Sequence, residues 1–166
     1  VTYIPTNEGW LYLAGVLDLC TRRIVGWSMS DSLDRTLVLR AILASCGRAA
    51  YQRRKPAAEL IHHSDRGSQC ASEDYRSQLK SYGMHQSMSR KGDCSVFFEH
   101  EDNAPMESFF GTLKMELVHL KKYTRRSEAR RDIFEYLEVF YNKHRLHSSL
   151  GYVSPDQFEE QIAAEI

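Results

Sequence analysis

The stretch VTYIPTNEGWLYLAGVLDLCTRRIVGWSMS, residues 1–30, contains three apolar runs separated by turn-forming residues. The first two runs, VTYIP and WLYLAGVLDL, flank the turn-rich segment TNEG, an arrangement typical of a β-hairpin. The alternating run RRIVGWSMS follows almost at once and predicts a third antiparallel strand. This part of the chain therefore predicts a three-stranded meander.

The next part of the sequence alternates helical and strand patterns. Asp34 is a suitable N-cap for the amphipathic run RTLVLRAILASCGRAA that follows it. LIHHS, residues 60–64, predicts a fourth strand, and Ser72 predicts the start of a helix that ends before Gly83. MHQSMS, residues 84–89, predicts a short fifth strand.

The C-terminal part of the sequence is helical. Arg90–Asn103 has no sustained period and predicts a long loop, whereas Ala104 and Pro105 predict the start of a helix. Ser127 predicts the N-cap of another helix, and Pro155 the first turn of the last one. Two sets of apolar residues are expected inward: Met106, Phe109, Phe110, Leu113 and Leu117 on the first helix, and Ala129, Ile133, Phe134, Leu137, Phe140 and Tyr141 on the second.

Together these elements predict an α/β fold. The expected core is a five-stranded mixed sheet, with three antiparallel strands followed by two parallel ones, flanked by helices. A chain of 166 residues with 42% hydrophobic and 11% aromatic residues suits one globular domain.

The sequence contains no sign of a membrane or an oxidising compartment. No apolar run approaches the roughly 18 residues that span a bilayer, and no signal segment opens the chain. The four cysteines form no CxxC pair and are expected to be reduced thiols in the cytoplasm. They are Cys20, Cys46, Cys70 and Cys94.

The charges cancel overall, with 22 basic and 22 acidic side chains, but they are unevenly distributed. Basic residues cluster between Gly111 and Arg131, and smaller clusters include Arg90 and Lys91. Basic stripes can follow phosphates along a nucleic acid. A solvated helix face explains the same pattern, so both interpretations stand at this point.

Two acidic residues occupy positions suited to chemistry. Asp65 leaves the carboxyl end of the fourth predicted strand, where open α/β sheets tend to place their sites. Glu107 lies in the first turn of a predicted helix, on one face with Gly111 and Lys114. On that face a carboxylate is available for a metal, a glycine admits a DNA backbone, and a lysine is available for a phosphate.

Carboxylates that meet in one site repel each other unless a cation neutralises them. Mg²⁺ or Mn²⁺ does so, and two such ions about 3.5–4 Å apart support phosphoryl transfer. The pairing of Asp65 with Glu107 is chemically sensible, although in a chain with 22 acidic residues the pairing alone is weakly specific.

Five blocks of the sequence resemble the integrase-type core of bacterial insertion-sequence transposases, a group related to retroviral integrases. The blocks are TYIPTNEGWLYLAGVLDLCTRRIVGWSMS, LIHHSDRGSQC, SMSRKGDC, DNAPMESFFGTLKMEL and FYNKHRLHSSLGYVSP, in the family's order along nearly the whole chain. The resemblance implies a ribonuclease-H-like fold over residues 1–166. It also implies an Asp, Asp, Glu triad that binds two Mg²⁺ ions, cleaves DNA at element ends and joins strands.

The resemblance assigns roles to single residues. Asp65 in HSDRGSQ matches the second acid and Glu107 in PMESFFGTLK the third, so both are expected to be catalytic metal ligands. Lys114 matches a lysine associated with DNA, and Arg90 and Lys91 are expected to contact phosphates. The implied partners are DNA and further copies of the chain, since transposition holds two ends together.

The sequence departs from the family pattern in two places. The family's first acid directly precedes the Thr-Tyr-Ile run, so that acid is expected one residue before Val1. Asp18 matches a different family aspartate and is expected to be structural. The interval between Asp65 and Glu107 is also lengthened by SVFFEHE, residues 95–101, inside the predicted loop. Loops absorb added length at little entropic cost.

The same residues allow other functions. A catalytically incompetent core that binds DNA and oligomerises is the main alternative, and a hydrolytic nuclease of the same fold is another. Ser64 lacks the glycine-flanked elbow of a hydrolase nucleophile. A zinc site built from His62, His63, Cys70 and Cys94 matches no usual ligand spacing.

Further expectations concern aromatic and basic residues outside the catalytic motifs. Trp10 and Trp27 are expected in the core. His144, Arg145 and His147 are expected either to contact DNA or to cap the preceding helix.

Overall fold

A computed structural model describes residues 1–51, 60–64, 73–88 and 104–164. The strands in these ranges are β1 (Thr2–Thr6), β2 (Gly9–Leu17), β3 (Ile24–Ser30), β4 (Ile61–Ser64) and β5 (His85–Met88). The helices are α1 (Arg35–Tyr51), α2 (Glu73–Ser81), α3 (Ala104–Glu116), α4 (Arg126–Glu135) and α5 (Pro155–Ala164). α4 continues into a π-helical turn, Tyr136–Tyr141, and single 3₁₀ turns occupy Val118–Leu120 and Ser148–Leu150.

The three-stranded meander is confirmed. β1 pairs antiparallel with β2, and β2 pairs antiparallel with β3. The hairpin between β1 and β2 is closed by Thr6, whose hydroxyl donates a hydrogen bond to the Gly9 carbonyl at 2.6 Å. Gly9 has a φ of +104°, which is strained for residues with a Cβ atom.

The fourth and fifth strands are also confirmed, but the single five-stranded sheet is not what the described residues show. β4 pairs in parallel with β5, as a separate two-stranded sheet. β1 pairs with β2 and, at Thr6, forms a bridge to Tyr123. The Tyr123 carbonyl also accepts a hydrogen bond from the Asn7 amide at 3.0 Å. The segment before α4 therefore lies beside the end of β1.

The predicted start of the first helix is confirmed. The Asp34 carboxylate accepts a hydrogen bond from the Leu37 amide at 3.1 Å, which satisfies one of the free N–H groups of α1. α1 then packs closely on β3, because a Cβ atom at Gly26 would lie 2.3 Å from the Ala41 carbonyl oxygen. Only glycine permits this approach of helix to strand.

Two hydrophobic clusters make up the core. The larger cluster joins β1–β3 to α3, α4 and the segments around them, whereas the smaller cluster joins β2 to α1 and α2. The larger contains Ile4, Leu11, Leu13, Ile24, Phe109, Phe110, Leu113, Val118, Tyr123, Ala129, Ile133, Tyr136, Leu137 and Tyr141. The smaller contains Ala14, Leu37, Val38, Ala41, Ile42, Cys46, Tyr75 and Leu79.

The prediction for the start of α4 was wrong by a short distance. The helix begins at Arg126, and the Glu128 carboxylate accepts a hydrogen bond from the Arg125 amide at 3.3 Å. Glu128 therefore caps the helix end, a role that the sequence had indicated for Ser127. The capping acid sits inside the first turn, where it also complements the helix dipole.

The predicted apolar face of α4 was too wide. The buried stripe runs through Ala129, Ile133, Leu137 and Tyr141, each four residues from the last. Phe134 and Phe140 flank this stripe and are 50% and 43% exposed.

The two tryptophans differ in how far their side chains are buried. Trp10 is 48% exposed, so its predicted burial was wrong, because it pairs with Pro5 near the hairpin end and its ring faces outward beside Tyr3. Trp27 is half-buried and packs against the larger cluster, and its indole N–H donates to Glu138 at 2.7 Å.

The last helix begins as predicted. The Ser154 hydroxyl accepts a hydrogen bond from the Gln157 amide at 3.3 Å, and Pro155 occupies the first helical position. Arg23 fastens α5 to the start of β3, since its guanidinium lies 3.1 Å from Asp156 and 2.6 Å from Glu159. None of the helices in the described ranges is long and apolar enough to cross a membrane.

Candidate active site

The structure places two of the predicted site residues. Glu107 lies in the first turn of α3 with its side chain exposed, and Lys114 lies two turns further along the same helix. Asp65, Arg90 and Lys91 lie outside the described residues, so the predictions for these three remain predictions.

The opposite sides of α3 differ in the way the sequence predicted. Phe109, Phe110 and Leu113 are buried in the larger cluster and hold the helix in place. On the other side, no neighbouring element in the described ranges comes within 4 Å of the position that a Cβ atom at Gly111 would take. Among the described residues, the face that carries Glu107 and Lys114 is therefore open at its middle.

Lys114 meets an aromatic pair on the meander. Its Nζ atom lies 4.7 Å from the centre of the Tyr3 ring, a distance at which the ring's electron density attracts the cation. Tyr3 in turn meets Trp10 edge to face, with the ring centres 5.0 Å apart. Both rings are about half exposed, so the lysine and the two aromatics form one accessible surface beside α3.

The end of β4 is held by two hydrogen bonds. Ser64 is buried, and its hydroxyl accepts a hydrogen bond from the Gln86 side chain at 3.1 Å. His62 Nε2 lies 2.7 Å from the Tyr75 hydroxyl. Burial lowers the pKa of His62, and His63 beside it lowers this pKa further, which keeps the His62 ring neutral at pH 7. β4 is thus fixed up to the residue before Asp65.

Residues of β4 and α3 line the same cavity, which has a volume of about 840 Å³. Its described lining includes His63 from β4 and Ala104, Pro105 and Ser108 from the first turns of α3. His63 stands two positions before Asp65 in the sequence, and Ser108 directly follows Glu107. Strand end and helix start therefore face a common space.

Basic and aromatic residues from two other segments of the chain also line the cavity. Leu17, Leu19 and Arg22 come from the turn between β2 and β3, and Tyr141, Arg145, His147 and Ser149 come from the chain after α4. Arg145 and His147 had been singled out from the motif KHRLHSSLGY, and Tyr141 had been expected on an apolar helix face. The sequence did not indicate that these residues share a cavity with Arg22, because the contact between the two segments is long-range.

Arg145 has a structural partner. Its guanidinium donates hydrogen bonds to both carboxylate oxygens of Glu116, at 2.8–3.0 Å, and the Tyr136 hydroxyl donates to the same carboxylate at 2.6 Å. Burial raises the pKa of Glu116, but the bonds from Arg145 and Tyr136 outweigh it and leave that pKa below its usual value. Arg145 thus joins α3 to the chain after α4.

The basic stretch between Gly111 and Arg131 is largely occupied by internal contacts. Lys121 and Arg131 lie 2.7 and 3.3 Å from Asp132, and the bond from Lys121 is the main cause that lowers the Asp132 pKa. Arg126 donates to the Trp10 carbonyl at 3.1 Å, and Arg130 donates to a β3 carbonyl at 3.0 Å. Lys121, Arg126, Arg130 and Arg131 therefore each have a partner within the protein.

Two further predictions concern residues near the site. Asp18 accepts hydrogen bonds from the Cys20 and Thr21 amides at 2.8 and 3.4 Å, which fits the structural role expected of it in the turn after β2. The described ranges contain no cluster of three or more His, Cys, Asp or Glu residues able to hold a metal. Cys20 and Cys46 are free thiols, as predicted, whereas Cys70 and Cys94 lie outside the described residues.

Comparison with known proteins gives a consistent result along the chain. Residues 1–94 match a family model described as an integrase core domain, and residues 107–162 match a second model with the same description. The transposase for insertion sequence element IS904 of Lactococcus lactis is 46% identical over 160 residues, which cover 96% of this chain and 59% of that protein.

Two further relatives also match nearly the whole chain. The transposase InsF for insertion sequence IS3A of Escherichia coli is 44% identical over 164 residues, covering 99% of this chain and 53% of that protein. An uncharacterized 31 kDa protein of insertion element IS600 of Shigella sonnei is 46% identical over 161 residues, covering 97% and 55%. The chain spans about half the length of the curated relatives it matches.

Proposed function

Because this chain belongs to the integrase core family and is similar to insertion-sequence transposases along nearly all of its length, we propose that it is a transposase catalytic core. The proposed reaction is metal-dependent cleavage of DNA at the ends of an element, followed by joining of the strands to a target. The observation that carries the proposal is the shared cavity, which the end of β4 and the first turns of α3 line together.

In this proposal Asp65 and Glu107 hold Mg²⁺ or Mn²⁺. Carboxylate oxygens suit these hard cations, and the exposed Glu107 side chain has no hydrogen bond or ion pair within the described residues, so it is free to bind. Metal ions held by these two residues would activate the attacking oxygen and stabilise the leaving oxygen. The protein's part is to fix the two carboxylates, Asp65 by the anchored end of β4 and Glu107 by the packed helix α3.

The proposed DNA contacts extend from the metal ligands along α3. Lys114 meets a phosphate, the open position at Gly111 admits the sugar–phosphate backbone, and Tyr3 and Trp10 lie against the strand. Arg90 and Lys91 are proposed as further phosphate contacts. Because such contacts are electrostatic, binding should weaken steeply as salt is raised.

The finer points of architecture belong to the same proposal. We place residues 1–166 in one ribonuclease-H-like domain, in which β4 and β5 extend the β1–β3 meander into a five-stranded sheet. The protein acts in the bacterial cytoplasm on nucleoid DNA, and it does so as a homo-oligomer that holds two element ends.

Paired substitutions test the chemistry. Asp65→Asn and Glu107→Gln remove the charge of each proposed ligand and preserve its shape, and single-turnover strand joining on element-end DNA is measured with Mg²⁺. Each variant should lose activity by at least about a hundredfold. Glu135→Gln, which changes an exposed acid on α4, is the matched control and should retain full activity. Undiminished joining by Asp65→Asn would remove that residue from the mechanism.

The same experiment separates the alternative functions. A catalytically incompetent DNA-binding core would show salt-dependent DNA binding with no cleavage by the parent protein and only weak binding of Mn²⁺. A hydrolytic nuclease would cleave without joining strands. Mn²⁺ titration followed by calorimetry reports on the metal site whether or not the DNA is turned over.

A further inference from the structure

The π-helical turn after α4 and the residues that follow it contact α3 at two places along the helix. Near the start of α3, the Phe109 ring meets the Tyr141 ring edge to face, with the ring centres 4.9 Å apart. At the end of α3, the Glu116 carboxylate accepts hydrogen bonds from Arg145 and Tyr136. Phe109 and Glu116 are seven residues apart, which is close to two helical turns, so both contacts lie along one line on α3.

A second line along α3 carries the residues proposed for the reaction. Glu107 and Lys114 are also seven residues apart, and each stands two positions before its counterpart on the first line. Two residues turn a helix by about 200°, so the two lines lie on nearly opposite sides of α3. A side chain reaches about 5–6 Å from the helix axis, so a rotation of α3 by about 10° would displace the Glu107 carboxylate by about 1 Å. The contacts on the first line therefore bear on the position of Glu107.

The hydrogen bonds to Glu116 fix the rotation of α3 more sharply than apolar packing does. Phe110 and Leu113 are buried, but the attraction between apolar side chains has no preferred direction. The Arg145 guanidinium donates to both Glu116 oxygens at 2.8–3.0 Å, and such a bidentate pair is restricted in orientation. The Tyr136 hydroxyl donates a further bond, at 2.6 Å, to the same carboxylate. The last turn of α3 is thus held by directional contacts.

The π-helical turn Tyr136–Tyr141 allows both of its tyrosines to reach α3. In a regular α-helix, residues five positions apart point about 140° away from each other. Tyr136 and Tyr141 are five apart, yet their ring centres lie only 6.1 Å from each other, because the wider π-turn brings both rings to one side. The Arg145 guanidinium lies 5.8 Å from the centre of the Tyr141 ring and so connects the two contacts on α3. π-Helical turns are rare and are frequent at functional sites.

We propose that Glu116 is a positioning residue for the reaction. Held by its hydrogen bonds, it sets the rotation of α3 and thereby the direction in which Glu107 and Lys114 point. The inference rests on the proposed function, because it concerns the metal ligand and the phosphate contact proposed there. An error of about 1 Å in the position of a reacting group costs about a hundredfold in rate. The pair of Arg145 with Glu116 should contribute little to stability, since these side chains are 24% and 35% exposed.

The test compares the rate of strand joining with DNA affinity, metal affinity and stability. Glu116→Gln preserves the shape of the side chain and removes its charge. Single-turnover joining at saturating DNA should slow by about tenfold to a hundredfold, and the affinity for Mn²⁺, measured by calorimetry, should fall by about tenfold. The dissociation constant for DNA in EDTA should change by less than about threefold, because the flexible Lys114 side chain adjusts to a small rotation. The thermal midpoint should fall by less than about 4 °C.

Arg145→Lys separates orientation from charge. Lysine keeps a positive charge beside Glu116 but makes no bidentate pair, so joining should slow about as much as in Glu116→Gln. The double variant should be no slower than the slower single variant, because both substitutions break the same contact. Glu159→Gln is the matched control, since it breaks an ion pair of 2.6 Å with Arg23 that fastens α5 and leaves α3 untouched. It should join strands and bind Mn²⁺ as the parent protein does.

The outcomes separate this inference from the proposed function. If the parent protein joins strands and either Glu116→Gln or Arg145→Lys joins them at the parent rate, Glu116 does not position α3, although the transposase function stands. The positioning role also fails if Glu159→Gln slows joining as strongly, or if the losses in the double variant are additive. For a parent protein that binds Mn²⁺ without joining strands, an unchanged Mn²⁺ affinity in Glu116→Gln would overturn the inference. A parent protein that does neither would overturn both proposals.

Discussion

The Lys114 ammonium lies 4.7 Å from the centre of the Tyr3 ring, so α3 and β1 meet at an exposed contact between a cation and an aromatic ring. The contact holds the lysine on the same face as Glu107 and extends that face onto the meander. Charge and aromatic surface are thus supplied by two elements that are far apart in the sequence.

Replacement of Lys114 by glutamine should weaken DNA binding uniformly across sequences, because a phosphate contact carries no base information. The affinity should fall by about threefold to tenfold at 0.1 M salt, and the slope of log affinity against log salt should become shallower by about one unit. Lys80→Gln, at an exposed position on α2, is the matched control. A salt slope unchanged by Lys114→Gln would exclude this lysine from the DNA contact.

Replacement of Tyr3 by leucine should weaken DNA binding without changing the salt slope. The variant keeps every charge but removes the aromatic surface, and base or sugar stacking on an aromatic ring contributes about 1–3 kcal/mol. Binding isotherms at several salt concentrations separate the two effects. A change of slope would mean that Tyr3 acts only by positioning the Lys114 charge.

Replacement of Gly111 by alanine should raise stability and lower DNA affinity. Alanine favours a helix interior over glycine by about 0.5–1 kcal/mol, and among the described residues no other element lies within 4 Å of the added methyl group. The methyl group would nonetheless occupy the place proposed for the sugar–phosphate backbone. Urea unfolding and anisotropy measure the two effects on one preparation.

The control for Gly111→Ala is Ser77→Ala, an exposed position on α2 that also gains helix propensity. It should raise stability slightly and leave DNA binding unchanged. DNA affinity unaffected by Gly111→Ala would show that the strand does not pass close to this turn of α3.

Replacement of Asn142 by leucine should cost about 3 kcal/mol of unfolding free energy. The buried Asn142 side chain accepts a hydrogen bond from the Ile24 amide at 3.0 Å and donates one to the Ile24 carbonyl at 3.1 Å. Leucine would leave both backbone groups buried and unpaired. The control is Lys143→Ala, at the exposed neighbouring position, which should change the urea midpoint very little. An equally small change for Asn142→Leu would contradict the prediction.

Stability should fall as pH decreases below about 6.5, partly because of His62. Burial, and then His63, lower the pKa of His62 in the folded state, so the unfolded chain takes up a proton that the folded chain does not. One such proton gives a slope of at most about 1.4 kcal/mol per pH unit. His62→Gln should flatten the slope of unfolding free energy between pH 7.5 and 5.5, whereas the exposed His144→Gln should not.

The local features of the fold were predictable from the sequence. Alternating apolar residues identify the strands of the meander, Asp34 marks the start of α1, and the glycine after α2, with a φ of +72°, marks its end. The buried side of α3 was also predicted, because Phe109 and Leu113 repeat at helical spacing.

Features that depend on contacts between distant segments were not predictable in this way. Trp10 looks like a core residue on a strand, but the position of the hairpin end turns its ring outward. Glu128 displaces Ser127 as the cap of α4 because the Glu128 side chain reaches the amides before the helix.

Part of the candidate site was predictable from the sequence, and part was not. Glu107 and Lys114 were placed on one helix face by spacing alone, and the resemblance to a family supplied their roles. The cavity could not be predicted from the sequence, because its residues come from β4, α3, the turn before β3 and the chain after α4.

The division of the core into two clusters on the β1–β3 meander has a consequence for regulation of the reaction. α3 is embedded in the larger cluster, whereas β4 is tied through Tyr75 to the smaller one. Under the proposed function, the separation between Glu107 and the end of β4 depends on how both clusters pack against the meander. Substitutions that loosen either cluster, even far from Glu107, should therefore weaken the proposed metal binding while the protein remains folded.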